Sequence, residues 1–182
     1  MNGPAAPIVV IGVGNALLRD DGVGVRVVES LRRAAGREPD VLPPLTRLVD
    51  GGTLGIDLLR EMHPARAVLL VDGVDLGLEP GTVEVLRDDA LAAAGGRLTG
   101  GSSGGIGELL ALGRLMDWLP APVALVGIQV AEVTFDLGLS APVASALPLA
   151  TETALRMLRR LDAEAADAGP VPATRTPTGA RA

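Results

Sequence analysis

The chain has 182 residues, of which 48% are hydrophobic and 21% charged, and its formal net charge at pH 7 is -6. This length suits a single globular domain. The absence of Cys excludes disulfides, thiolate zinc sites and cysteine nucleophiles, and a single histidine, His63, excludes sites built from several imidazoles. Acidic charge, with one Trp, one Phe and no Tyr, argues against nucleic acid as a partner.

The first half of the chain alternates apolar runs with helical patterns. Residues 7–14 are a continuous β-branched run without polar alternation, which is typical of a strand covered on both faces. Apolar residues at helical spacing separate this run from two similar ones. The predicted elements are, in order, strand 7–14, helix 22–35, strand 45–49, helix 54–62 and strand 67–71, which ends at Asp72.

The second half continues the pattern after an edge strand. Residues 80–87 begin with a Pro-Gly turn and then alternate, as an edge strand does. Residues 95–107 are rich in Gly and Ser and predict a mobile loop. Pro148 predicts a kink or split in the last helix. The remaining predicted elements are helix 106–119, strand 123–130 and a helical region from residue 140 to about residue 161.

This element order predicts the fold class. Strands that alternate with helices form a layered α/β/α domain around a mostly parallel twisted sheet, here of about five strands. Such folds place their sites at the C-terminal edge of the strands. We expect one domain over residues 1–162, followed by a disordered tail over residues 163–182, which is rich in Ala, Pro, Thr and Gly.

The location of the protein is predicted from what the sequence lacks. The N-terminal residues show no basic start and no long apolar run of a signal peptide. No stretch approaches the roughly 20 apolar residues that a membrane span requires. We therefore expect a cytoplasmic protein with no membrane partner.

The glycines after the first strand suggest a nucleotide site, which the sequence matches only in part. Gly12 and Gly14 close the strand, but Leu17 stands where the dinucleotide fingerprint has its third glycine. The carboxylates of Asp20 and Asp21 lie before the helix and would repel a pyrophosphate. A tight turn between strand and loop explains the two glycines better, although a nucleotide-dependent oxidoreductase stays an alternative.

Carboxylates at the strand ends form the second candidate site. Adjacent strands are about 4.8 Å apart, so Asp20 or Asp21 after one strand and Asp72 after another could converge on one cation. Asp20 or Asp21 could instead cap the helix that follows, and Asp50 could simply satisfy turn amides. His63 precedes the strand that ends at Asp72, so we expect it at the opposite edge of the sheet.

Several motifs in a fixed order give the chain a resemblance to a known family. Residues 12–24 (GVGNALLRDDGVG) resemble the opening signature of the nickel–iron hydrogenase maturation proteases. The resemblance extends from about residue 7 to residue 161. The other motifs, in order, are 50–53 (DGGT), 71–74 (VDGV), 80–83 (PGTV), 105–110 (GIGELL), 126–129 (VGIQ), 139–140 (LS) and 147–148 (LP).

The resemblance implies a cytoplasmic endopeptidase, expected as a monomer, with a protein substrate. Members of this family remove a C-terminal extension from the precursor of a hydrogenase large subunit once nickel is in place. They recognise the nickel in the substrate and hold no permanent cofactor. Carried over by motif, Asp21 and Asp72 are the nickel ligands and the catalytic residues. The loop formed by Asp50, Gly51, Gly52 and Thr53 would shape the substrate-binding cleft.

One position departs from the family pattern. The third nickel ligand of the family is a histidine in the Gly/Ser-rich loop, and this chain has Ser102 there. A hydroxyl is a poorer ligand for Ni²⁺ than an imidazole. Substrate groups or water could complete the coordination, or Ser102 and Ser103 could position the partner. The third alternative is a non-catalytic checkpoint chaperone that binds the same precursor.

Overall fold

A computed structural model of the chain describes residues 6–63, 65–94, 106–120 and 122–168. Short 3-10 turns at Arg19–Gly22, Pro39–Val41 and Gly55–Asp57 connect longer elements. The strands are β1 Ile8–Val13, β2 Thr46–Gly52, β3 Ala67–Val74, β4 Val83–Arg87 and β5 Val123–Gln129. The helices are α1 Val23–Arg37, α2 Leu58–Met62, α3 Asp88–Ala94, α4 Ile106–Leu115 and α5 Ala141–Asp167.

The strands form one sheet with the order β2-β1-β3-β5-β4. The pairs β1/β2, β1/β3 and β3/β5 are parallel, and β4 pairs antiparallel with β5 at the edge. The chain leaves β1 toward β2 on one side and returns to β3 on the other, so the strand order reverses between β1 and β3. In open α/β sheets this switch point opens a crevice at the C-terminal strand ends.

Helices cover both faces of the sheet, as the unbroken apolar runs predict. Val10 of β1 packs with α1 and α5, whereas its neighbours Val9 and Ile11 pack with α2, α3 and α4 on the other face. Successive side chains of a strand point to opposite faces, so a strand buried on both sides must be apolar throughout. The layered α/β/α architecture and the mostly parallel five-stranded sheet are thus confirmed.

Several boundaries differ from the predicted ones. β2 continues to Gly52 instead of ending at residue 49, because its pairing with β1 extends past the apolar run. Asp72 lies inside β3, where it pairs with Gly127 of β5. Residues 88–94 form α3, which was not predicted. The predicted helix 106–119 ends earlier, at Leu115.

The last helix is longer than predicted and is not split. α5 runs through Pro148 without a break and continues to Asp167, so the predicted disordered tail is wrong for residues 163–167. Packing of Leu161 and Ala165 in the core supports this extra length. The domain boundary itself stays a prediction, and residues 169–182 and most of the predicted loop 95–107 lie outside the described residues. No helix in the described ranges is long and apolar enough to cross a bilayer.

Candidate active site

Gly14 marks the place where three segments meet at the switch point. Its N–H donates to the carbonyl of Gly52 at 2.9 Å. A Cβ at this position would lie 1.7 Å from the carbonyl oxygen of Asp21 and 3.6 Å from a carboxylate oxygen of Asp72. The φ angle of Gly14 is +120°, which other residues rarely adopt. The glycine therefore serves close backbone approach, which supports the tight-turn interpretation over the nucleotide site.

Asp21 is held in the short 3-10 turn that follows β1. Asp21 is only 2% exposed, and its Oδ2 accepts a hydrogen bond from the Asn15 N–H at 2.7 Å. The Asn15 side chain in turn accepts the Leu17 N–H at 2.9 Å. The turn from residue 15 to residue 21 thus orients this carboxylate by its own backbone.

Asp72 provides the second carboxylate of the site from β3. The residue is 4% exposed and lies among apolar strands. Burial raises the pKa of Asp72 well above its usual range, and the negative charge of Asp21 raises it further, against a hydrogen bond from the Gly73 N–H. A pair of coupled, buried carboxylates in a crevice is a typical place for chemistry.

Asp20, the immediate neighbour of Asp21, has a different environment. Its carboxylate accepts four hydrogen bonds, from the N–H groups of Ala131 (2.9 Å), Glu132 (3.0 Å) and Ser140 (2.6 Å) and from the Ser140 hydroxyl (2.7 Å). Burial raises the pKa of Asp20, but these hydrogen bonds lower it more, so the net shift is downward. Asp20 therefore fastens the segment after β5 to the turn that carries Asp21.

The predicted capping role is wrong for both aspartates. α1 has Gly22 at its N-cap, with no side-chain hydrogen bond there. Asp20 instead binds amides from the other end of the chain, and Asp21 binds the amide of Asn15. The structure therefore separates two adjacent carboxylates that the sequence presents as interchangeable.

Gln129 is a buried polar residue that the sequence analysis did not single out as functional. It ends β5, and its Oε1 accepts the N–H groups of Leu76 (2.8 Å) and Leu78 (3.2 Å). Its Nε2 donates to Asp75 Oδ1 at 3.1 Å. Gln129 thus positions the segment that follows β3, close to Asp72. The signal in the sequence is an amide at the end of an otherwise apolar strand.

The predicted substrate-binding loop borders the same crevice. Asp50 is exposed, and its carboxylate accepts the Gly52 N–H at 3.1 Å, which confirms the predicted bond to a turn amide. Gly51 is buried, and a Cβ there would lie 2.8 Å from a methyl group of Ile11. Thr53 is exposed at the end of the loop. The bond from Gly14 to Gly52 ties this loop to the carboxylate pair.

The remaining candidates lie away from the crevice or outside the described residues. His63 follows α2 and stacks on Trp118 with ring centroids 5.5 Å apart, before β3 begins, which confirms its place at the opposite edge. Ser102 lies outside the described residues. In the parts of the chain that the structure describes, no three His, Cys, Asp or Glu residues form a group that could hold a metal ion.

Comparison with known proteins shows to which family the chain belongs. Residues 25–157 match the HycI family of hydrogenase maturation proteases. The chain belongs to the hydrogenase maturation protease family. Its sequence is 36% identical over 159 residues to the hydrogenase expression/formation protein HupD of Rhizobium leguminosarum, covering 86% of this chain and 76% of HupD. It is 32% identical to the hydrogenase 2 maturation protease of Escherichia coli, covering 87% of this chain and 94% of that protease.

Solved structures of this protease family share the fold. The hydrogenase maturating endopeptidase HybD of Escherichia coli superposes with a TM-score of 0.72 at 31% identity, covering 85% of this chain and 93% of HybD. A crystal structure of a hydrogenase 2 maturation peptidase from a Thaumarchaeota archaeon matches with a TM-score of 0.63 at 29% identity. The match covers 84% of this chain and 98% of that peptidase. The resemblance and the α/β fold predicted from the sequence are confirmed, and the chain is a maturation endopeptidase.

Proposed function

We propose that this endopeptidase removes the C-terminal extension of a nickel–iron hydrogenase large-subunit precursor after nickel insertion. Asp21 and Asp72 are its proposed catalytic and nickel-binding residues. The observation that carries the proposal is the pair of buried, electrostatically coupled carboxylates at the switch point. Membership of the maturation protease family supplies the class of reaction.

Nickel enters this site as part of the substrate. Two carboxylates that repel each other in a buried crevice favour a cation between them, because a positive charge offsets both the desolvation and the repulsion. The pair alone leaves most coordination positions of a metal ion open. Ligands of the precursor fill these positions, so the protease senses whether its substrate carries the metal. Asp21 and Asp72 would then place the bound nickel next to the peptide bond.

Cleavage needs a polarised carbonyl and an attacking water. A substrate-borne metal ion can polarise the scissile carbonyl or acidify a water molecule. The pKa of Asp72 is raised, so its carboxyl group favours the protonated form more than an exposed aspartate does, and a cation that binds beside it would favour release of that proton. Asp20 is unsuited to proton transfer, because hydrogen bonds hold its carboxylate in the ionised form.

Two further residue sets complete the proposed site. The loop with Asp50, Gly51, Gly52 and Thr53 borders the crevice and would hold the peptide that is cut. Ser102, at the family's histidine position, would contribute a weak ligand or a contact to the precursor. The family match to proteases gives no support to the non-catalytic chaperone alternative. We further propose that the protein acts in the cytoplasm as a monomer.

The test is cleavage of a nickel-loaded large-subunit precursor by catalytic amounts of this protein, followed by mass spectrometry. We expect loss of one defined C-terminal peptide with many turnovers. Asp21→Ala and Asp72→Ala abolish the product, because each removes one of the two carboxylates. Asp40→Ala is the matched control, since Asp40 is exposed in the turn after α1 at the far end of that helix.

Three results would contradict the proposal. Intact precursor after incubation with the wild-type protein contradicts the activity. Cleavage by Asp21→Ala or Asp72→Ala contradicts the assigned residues. Equal cleavage of precursor with and without nickel contradicts the sensing role. A Ser102→His variant, run in parallel, is expected to bind the nickel-loaded precursor more tightly than the wild type, because imidazole suits nickel better than a hydroxyl does.

A further inference from the structure

The only phenylalanine of the chain lies on the surface, in a segment that is hydrogen-bonded to the turn that carries Asp21. Phe135 is 84% exposed, although aromatic residues make up only 1% of the sequence. Leu137, two residues later, is 74% exposed, and Val133 and Leu17 are exposed too. Large aromatic side chains are usually buried in a core or an interface. We call Leu17, Val133, Phe135 and Leu137 the apolar rim.

Polar contacts hold the apolar rim firmly against the turn that carries Asp21. The N–H of Asp136 donates to the carbonyl of Leu17 (3.2 Å), and the N–H of Arg19 donates to the carbonyl of Asp136 (3.0 Å). The Arg19 guanidinium forms ion pairs with Glu132 (3.3 Å) and Asp136 (2.6 Å). These ion pairs tie Glu132 and Asp136, on either side of Phe135, to the turn that carries Asp21. The hydrogen bonds to Asp20 fix the start and the end of the same segment.

Two more exposed apolar side chains follow the loop whose Gly52 accepts the Gly14 N–H. Leu54 and Ile56 are exposed directly after the loop that ends with Thr53. Large exposed apolar side chains that occur together in one segment, as in the apolar rim, mark an interaction site more often than single ones do. A fixed segment also loses little conformational entropy when a partner binds to it.

We infer that the apolar rim docks an apolar segment of the hydrogenase large-subunit precursor and so aligns its C-terminal extension with the carboxylates. This inference rests on the proposed function and names the surface through which the substrate is recognised. Backbone hydrogen bonds join the rim to the turn that carries Asp21, so a protein substrate that binds at Asp21 lies next to the rim. A second copy of this chain seated there would block the carboxylates.

The experiment compares Phe135→Ser/Leu137→Ser with the wild type and with Leu115→Ser. Leu115 is the matched control, because it is 83% exposed but ends α4 at the opposite edge of the sheet. Binding of nickel-loaded precursor is measured by titration calorimetry, and cleavage is measured over a range of precursor concentrations. Aromatic anchors dominate many protein interfaces, so we expect KM and Kd to rise by about tenfold or more in the double variant. The kcat value is expected to stay within about twofold of the wild type, and Leu115→Ser is expected to behave as the wild type does.

The outcomes separate this inference from the proposed function. Unchanged Kd and KM in a folded double variant overturn the docking surface while the protease assignment stands. Precursor that binds through the rim but is never cut overturns the proposed activity and supports the docking surface. A wild-type dimer that the double substitution converts to a monomer, with unchanged KM, assigns the rim to a second copy and overturns the inference. Single Phe135→Ser and Leu137→Ser variants, checked by circular dichroism, replace the double variant if it misfolds.

Discussion

Replacing Asp20 and Asp21 one at a time should separate stability from catalysis. Asp20→Ala leaves four donors without their acceptor, namely three amide N–H groups and the Ser140 hydroxyl. Asp21→Ala leaves one such donor, the Asn15 N–H, and removes the repulsion with Asp72. The two changes are chemically identical and one residue apart, so each is the control for the other.

The hydrogen-bond counts set the expected size of the effect. Hydrogen bonds to a charged group contribute about 1.5–3 kcal/mol each, and single substitutions rarely cost more than about 4–5 kcal/mol. We therefore expect Asp20→Ala to lower the free energy of unfolding by about 3–5 kcal/mol. For a domain of this size the melting temperature then falls by roughly 6–20 °C. We expect Asp21→Ala to stay within about 1 kcal/mol of the wild type.

Urea unfolding followed by circular dichroism, together with calorimetric melts, measures both values. Asp20→Asn is a useful intermediate, because it keeps the size and one acceptor oxygen but places an NH₂ group against N–H donors. It should lie between the wild type and Asp20→Ala. Equal stability losses for Asp20→Ala and Asp21→Ala would refute the reasoning. So would a fully active, fully stable Asp20→Ala variant.

Two further predictions concern the carboxylate pair and the glycine beside it. Asp72→Asn should abolish cleavage and stabilise the free protein at pH 7, because burial and Asp21 raise the pKa of Asp72 and make its ionised form costly in the folded state. That cost is absent below the unfolded pKa near 3.8 and grows as pH rises toward the folded pKa, so melts between pH 4 and 8 should show a loss of stability in the wild type that Asp72→Asn lacks. Gly14→Ala should lower stability by about 2 kcal/mol or more and abolish cleavage, because its Cβ would lie 1.7 Å from the Asp21 carbonyl oxygen. Gly36→Ala, with open space around the new Cβ, should instead stabilise α1 by up to about 1 kcal/mol; unchanged melting and activity in Gly14→Ala would contradict the close-packed site.

Local patterns predicted much of the fold, because a strand that is buried on both faces has an unbroken apolar sequence. The β-branched run of β1 has no polar interruption, since helices cover both of its faces. The glycines, the aspartates and the motif order predicted a site at the C-terminal edge between β1 and β3. Helix ends were predicted less well, because Pro148 sits inside a helix whose length is set by packing of residues such as Leu161.

The layered fold, the family resemblance and the set of carboxylates from which the site is drawn could all be predicted from the sequence alone. The folded chain was needed to show that distant donors hold Asp20, whereas the charge of Asp21 acts on Asp72. The N–H groups that donate hydrogen bonds to the Asp20 carboxylate belong to residues 131–140, more than 110 positions away along the chain. Such contacts leave no periodic pattern, because they depend on where two distant loops meet. The exposure of Phe135 has the same origin: the folded chain shows that its one phenylalanine lies on the surface instead of in the core.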